Sequence, residues 1–400
     1  MKLTKLMLSA FAAIVALAAC NKVETDVPES TSLKSVKLSL ENVIMTKGLA
    51  GNKIEAGDPV VVNNFKIILT DASYSMEYSA KTVSGTESAT FYFNGETFAA
   101  AGNTYEFHYV DHKVTKVIAV ANLGDVSLQQ IKSLSKSIGD QQDQEDLVLW
   151  AEADLVATGE THTVVGGDHT DESGEYSEDY TEVFKATLAL TPVISRFEVD
   201  GFVINFSDTP KFNKVEVTDI AFDHYYPTVG FSTADGTFKA LAGGEHIKNP
   251  DDYASQSDVF GWINNTATTG WYIDRFEANT IVMVPDDPTT TTVAENKADT
   301  PDPLAYHFFA GDVVPTMIIK VLVDGNNPAY VYTSDFISKQ TNTALAKLEG
   351  GKIYRMSAAG VADQTGGSVP IPDDFDPIQR CLDITVDVQD WVVELVTPEF

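Results

Sequence analysis

Apolar and polar residues alternate at period two through much of this chain, the pattern of strands that bury one face. In the closing stretch, Leu382, Ile384, Val386 and Val388 alternate with Asp383, Thr385, Asp387 and Gln389. Beyond Val388 the parity flips to Trp391, Val393 and Leu395, while Val392 and Val396 make the opposite face apolar too. One extra residue near Gln389 and Asp390 would re-aim the chain in this way, as a bulge does. The first half of the ribbon suits a sheet with one covered face. The second half needs cover on both, which another molecule could supply.

The opening of the chain carries a comparable ribbon. Val36, Leu38, Leu40 and Ile44 share one face of a strand expected over Ser35–Met45, and Lys37, Ser39 and Glu41 share the other. A Gly-rich loop with Lys47 and Lys53 follows, the kind of exposed segment where proteases cut. Further strands are expected at 65–70, 90–93, 104–110 and 116–121, separated by turn residues such as Asn94-Gly95, as in a β-sandwich. One helix interrupts them: Asp125 or Ser127 can cap it, and Leu128, Ile131 and Leu134 recur at helical spacing up to about Ile138. Residues 159–182, dense in Asp, Glu and Gly, read as a long solvated loop. A second block of strands opens at Pro192, with turns at Asp235-Gly236 and Asp324-Gly325 and loops over 285–303 and 360–377. The pattern predicts two all-β domains, divided near Thr191.

Composition adds where the chain goes. Lys2 and Lys5 precede an apolar stretch from Leu6 to Ala19 that is too short to span a bilayer and fits an export signal. Leu17-Ala18-Ala19-Cys20 resembles the bacterial lipobox, which implies cleavage before Cys20 and its acylation. Acyl chains at roughly 0.8 kcal/mol per buried CH2 hold a protein on a membrane surface. The net charge of −31 becomes more negative once Lys2 and Lys5 are removed, which argues against nucleic acid or anionic lipid as partners. With Cys20 acylated, Cys381 is the remaining thiol, so stability must come from buried cores rather than disulfides. Cys381 itself reads as a small buried hydrophobe.

Catalytic chemistry finds little footing. The sequence has no G-x-S-x-G elbow, no H-E-x-x-H, no C-x-x-C and no phosphate-binding Gly-rich loop, so no enzyme, cofactor or metal is expected. His162 and His169 lie in an acidic loop with Asp168, Asp171 and Glu172, but their spacing fits no standard ligand pattern. Asp373-Asp374-Phe375-Asp376 reads as a polar linker. Trp262, Trp271, Tyr272, Tyr225 and Tyr226 could line a sugar-binding face or pack in a core. The sugar-binding option defines an alternative: a surface lipoprotein that binds glycans and never polymerises.

The lipobox, the first strand with its basic loop, the segment VIAVANLGDVSLQQIKSL, the segment VISRFEVDGFVI, and TMIIKVLVDG and GKIYRMSAAGV ahead of LDITVDVQDWVVELV occur in an order that resembles the fimbrillins. These are the FimA-like major subunits of the type V fimbriae of Bacteroides and Porphyromonas relatives. The resemblance implies two transthyretin-like, Greek-key β-sandwich domains, with one short helix in the first. It implies a signal peptide over 1–19, a lipidated propeptide over 20–47, domains over 48–191 and 192–400, and a donor strand at about 378–400. It further implies an outer-membrane lipoprotein precursor cut by a trypsin-like protease between Lys47 and Gly48. The strand carrying Val36, Leu38, Leu40 and Ile44 would leave, and the ribbon carrying Trp391, Val393, Leu395 and Val396 of another fimbrial subunit would replace it, in a homopolymer or a mixed fibre used for adhesion. Lys47 stands where the family usually has Arg, which leaves the identity of the protease open.

Overall fold

The computed structural model describes residues 33–41, 43–46, 60–80, 91–94, 104–141, 147–164, 179–204, 211–234, 237–239, 272–275, 281–285, 297–325, 327–357, 368–371, 379–390 and 393–396. Strands dominate, because β-branched and aromatic residues recur at period two between turn residues. The first half contains β1 (Leu33–Glu41), β2 (Val43–Thr46), β3 (Val60–Val62), β4 (Asn64–Thr70), β5 (Glu77–Tyr78), β6 (Tyr92–Asn94), β7 (Thr104–Asp111) and β8 (Lys116–Ala121). After the helix α1 (Leu128–Lys132) come β9 (Ser135–Ser137), β10 (Leu149–Asp154), β11 (Val156–Val164), β12 (Asp179–Ala189) and β13 (Thr191–Pro192). The second half begins with β14 (Ile194–Ile204), β15 (Val215–Asp223), β16 (Thr228–Ser232), β17 (Thr237–Lys239), β18 (Tyr272–Arg275), β19 (Val282–Met283) and β20 (Lys297–Phe309). It closes with β21 (Thr316–Val323), β22 (Asn327–Ser338), β23 (Thr343–Ala344), β24 (Lys352–Ser357), β25 (Ser368–Ile371), β26 (Gln379–Asp390) and β27 (Val393–Val396).

In the first half a four-stranded sheet of order β11-β12-β1-β7 and a sheet of order β13-β10-β8-β4-β5, with β6 beside β4, contribute to one core. The second half is organised by an eleven-stranded sheet whose main path is β18-β15-β21-β22-β26-β24-β14-β20. A single hydrophobic cluster runs from Val36 through Phe197 to Val386. A smaller one joins Ile68, Leu128, Ile131 and Trp150 of the first half to Phe231 of the second, with the Trp150 and Phe231 ring centroids 5.1 Å apart. The class is all-β, as the period-two pattern predicts.

Three local expectations are corrected. The helix ends at Lys132 instead of reaching Ile138. Its start is fixed by a capping box in which Ser127 and Gln130 satisfy each other's backbone N–H groups. Five residues cannot sustain a helix unaided, and the following Ser135–Ser137 pairs with β16 instead. The expected loop over 159–182 is strand at both ends, since β11 reaches Val164 and β12 begins at Asp179. Likewise β20 starts at Lys297 inside the loop expected over 285–303, and pairs there with Gly201–Val203. In each case backbone pairing overrides a polar local composition, with distant strands for β9 and β20 and between the consecutive strands β11 and β12. Among the described residues no helix is long and apolar enough to cross a membrane.

Candidate functional site

The first strand is an internal member of its sheet. β1 runs parallel to β12, in register from Lys34 opposite Glu182 to Glu41 opposite Ala189, and antiparallel to β7 on its other edge. Val36, Leu38 and Leu40 are 0%, 1% and 4% exposed and belong to the main core. Ile44, expected on the same face of the same strand, lies elsewhere. It falls in β2, which joins a separate three-stranded sheet of order β2-β27-β3.

The start of β1 is anchored by polar contacts that sequence reasoning missed. Lys34 donates to the carbonyl of Val114, just beyond β7, and its Nζ stands 4.4 Å from the Phe184 ring centroid. Burial pulls its pKa below the ordinary lysine value, opposed by the charges of Asp111 and Glu182. Ser35 and His108, both fully buried, share a hydrogen bond of 3.0 Å between Oγ and Nδ1. His108 Nε2 lies 3.7 Å from a Glu106 carboxylate oxygen, which is itself 3.8 Å from Lys37 Nζ. An irregularity in β7 places the histidine there. The register steps from Lys34 opposite Val110 to Val36 opposite Phe107, so His108 and Tyr109 together face Ser35. Tyr109 adopts φ 55°, a left-handed conformation costing on the order of 1–3 kcal/mol for a bulky residue, and the surrounding sheet must hold it. A hydroxyl, an imidazole and a carboxylate in a row could suggest nucleophilic chemistry. With Ser35 and His108 wholly buried, no substrate reaches the pair in this fold.

The closing ribbon is also paired on both edges. β26 lies between β22, to which it is parallel, and β24, to which it is antiparallel, with Ile384 and Val386 fully buried. Past residues 391–392, β27 runs parallel to β2, with Val393 opposite Val43 and Val396 opposite Thr46. Its other edge runs parallel to β3, with Val393 opposite Val60 and Leu395 opposite Val62. The ribbon's end is thus paired on both edges by strands from the first segment of its own chain, with β2 across some 350 residues, a partnership that no local pattern announces.

Cys20, Lys47, Gly48, Trp391, Trp262, Trp271, His169, Asp168, Asp171, Glu172 and residues 373–376 lie outside the described residues. Only the backbones of His162, Tyr272, Cys381, Val393, Leu395 and Val396 are placed. Tyr225 is 1% exposed and packs at 5.3 Å from Phe308, so it belongs to the core rather than to a sugar-binding face. The Tyr226 hydroxyl donates to Asp312 at 2.6 Å, and its pKa is pushed up to about 12 by burial and by that carboxylate. Among the described residues no three His, Cys, Asp or Glu side chains are grouped to hold a metal ion.

No family profile matches the sequence, and no curated protein is similar to it. Among solved structures, one from Parabacteroides distasonis ATCC 8503, provisionally termed a cell adhesion protein, is similar at 13% identity and a TM-score of 0.49, over 90% of this chain and 98% of its own. The fimbrilin FimA of Porphyromonas gingivalis W83 is similar at 12% identity and a TM-score of 0.43, over 91% of this chain and 99% of its own. The tip fimbrial protein Mfa3 of Porphyromonas gingivalis, truncated at its C-terminus, is similar at 9% identity and a TM-score of 0.38, over 89% of this chain and 100% of its own. Over most of its length this chain is therefore similar to structures of fimbrial and cell adhesion proteins.

Proposed function

We propose that this protein is a structural subunit of a cell-surface fimbria. It is exported as a lipoprotein precursor acylated at Cys20, anchored to the outer membrane through that lipid, cut after Lys47 by a trypsin-like protease, and polymerised by strand exchange for adhesion. The observation that carries the reading is the position of β1. It is the first described strand, yet it sits inside a sheet, so one cut in the connection after β2 would free it without any other chain break. Its departure would leave the facing edges of β7 and β12 unpaired, together with the core positions of Val36, Leu38 and Leu40. An extended segment satisfies such edges while its alternate side chains refill the core.

The closing ribbon of a neighbouring subunit, about 378–400, is the replacement. Trp391, Val393, Leu395 and Val396 contribute roughly 1.5–3 kcal/mol each on full burial, more than the several kcal/mol that association costs. Before cleavage β1 fills the slot and β27 is held on both edges by β2 and β3, so neither acceptor nor donor is open and the precursor stays monomeric. The same cut removes both β1 and β2.

The test is limited trypsin treatment of the mature precursor, followed by gels of unboiled protein and electron microscopy. Subunit ladders and filaments are expected only after treatment, and not from the Lys47→Ala, Lys53→Ala chain. Polymer from that double variant would place the cut elsewhere, and a cut chain that stays monomeric would remove the fimbrial reading.

A further inference from the structure

The slot of β1 reads more than apolar side chains. Its end near the β7–β8 turn offers the Val114 carbonyl and the Phe184 ring face to a cation, and beside them the His108 imidazole to a hydroxyl. These features sit one residue apart, immediately before the alternating apolar positions of Val36, Leu38 and Leu40. A two-residue slip of the occupying strand keeps its apolar face inward, so hydrophobic burial alone does not distinguish such registers. The polar pair does, because a two-residue slip brings Val36 and Lys37, or Ser32 and Leu33, to the carbonyl and the imidazole, so that no cation meets the carbonyl and no hydroxyl the imidazole.

We propose that the groove between β7 and β12 binds one class of strand, a cation followed by a small hydrogen-bonding side chain and then alternating aliphatics, and that His108 sets its register. A second copy of this chain supplies such a strand at Arg380-Cys381, which precede Leu382, Ile384 and Val386 as Lys34-Ser35 precede Val36, Leu38 and Leu40.

The backbone surroundings agree with this match. β26 lies between a parallel and an antiparallel neighbour, β22 and β24, as β1 lies between β12 and β7. Ile384 and Val386 are buried there as Leu38 and Leu40 are here. Each ribbon is followed in the chain by a four-residue strand, β2 after one and β27 after the other. Aligning instead on Trp391, Val393 and Leu395 would set Gln389 and Asp390 at the positions of Lys34 and Ser35, with no cation for the carbonyl. Because β26 leaves a slot of the same kind in its own chain, the match decides register and partner segment rather than the driving force. The inference rests on the strand-exchange reading.

The test uses the full mature chain with a sequence-specific protease site inserted after Lys47. The chain is cut, the freed strand is removed in mild denaturant, and the product is titrated with fluorescein-labelled peptides of residues 33–41, 379–390 and 391–400 by anisotropy. The first two should bind and the third more weakly than either. Peptides carrying Lys34→Met, Ser35→Val or Arg380→Met should bind about tenfold or more weakly. Because these changes are in the peptide, they do not perturb the protein's folding. A His108→Leu protein should lose the penalty for Ser35→Val while keeping that for Lys34→Met, a rescue that a merely structural histidine would not produce. Equal affinity for 379–390 and 391–400, or indifference to the polar substitutions, overturns the inference while leaving strand exchange standing. Failure of every peptide to bind overturns both.

Discussion

At the scale of single residues, the least expected group is a cluster of buried charges on β14. The alternation around Val193–Val199 places Phe197 and Val199 on one face and Arg196 and Glu198 on the other, where a one-sided strand would meet water. Instead Arg196 and Glu198 are fully buried, with Arg196 Nε 2.9 Å from one Glu198 oxygen and Arg355 donating twice to the other at 2.7 and 3.0 Å. Nearby, His307 Nδ1 bonds to the carbonyl of Gln141 at 2.8 Å, joining the two halves. Burial, and then the charge of Arg196, push the histidine down to about 3 from 6.5. A folded-state pKa below the unfolded value means that the unfolded chain binds the proton first as pH falls. The stability from neutral His307 is therefore present above about pH 6.5 and is lost progressively from there toward pH 3. Urea unfolding between pH 7 and pH 4 should show that decline, with a shallower slope in a His307→Gln variant; equal slopes would remove His307 as its source.

At the scale of elements, the strands differ in how firmly they are held. β1 is locked by eight register pairs with β12, a buried apolar face and two polar anchors. β27 is four residues long and, among the described residues, pairs its backbone with β2 and β3. Local opening follows the number and burial of such contacts. Loss of β2 leaves β27, among the described residues, with its three-residue ladder to β3. Amides of Val393–Val396 should therefore exchange with deuterium about tenfold or more faster after cleavage at Lys47 than before it, while those of Ile384 and Val386 change little. Unchanged exchange at β27 would mean that β2 does not restrain it. The first strand was legible from Val36 to Leu40, where apolar residues recur at every second position, but Ile44, assigned to the same face, belongs to β2. The ribbon's end was half legible: its two apolar faces are written in the sequence, but not that β2 and β3 pair with its edges.

At the scale of the whole molecule, the halves meet around Thr191–Val193. Thr191 and Pro192 pair with β10, Val193 N donates to the carbonyl of Val148, and Val193 O accepts from Ala310 N, so this short stretch is bonded to both halves. The turn before β24 docks on it through glycines: a Cβ at Gly350 would collide with the Pro192 carbonyl oxygen, and Gly351 holds φ +70°. Gly350→Ala should cost about 1–3 kcal/mol in denaturant unfolding, and a neutral result would show that the junction can shift to accept it. What the sequence determined by itself was local: the period-two pattern, the turn residues, a helix start capped by Asp125 or Ser127, the inward faces of β1 and β26, and a charge that disfavours nucleic acid. What only the tertiary structure decided was partnership: β1 between β12 and β7, β27 between β2 and β3, and a covered face for Arg196 and Glu198. The reason is that side-chain periodicity specifies which face of a strand turns inward, while its neighbour is chosen by burial and backbone pairing with segments tens to hundreds of residues away.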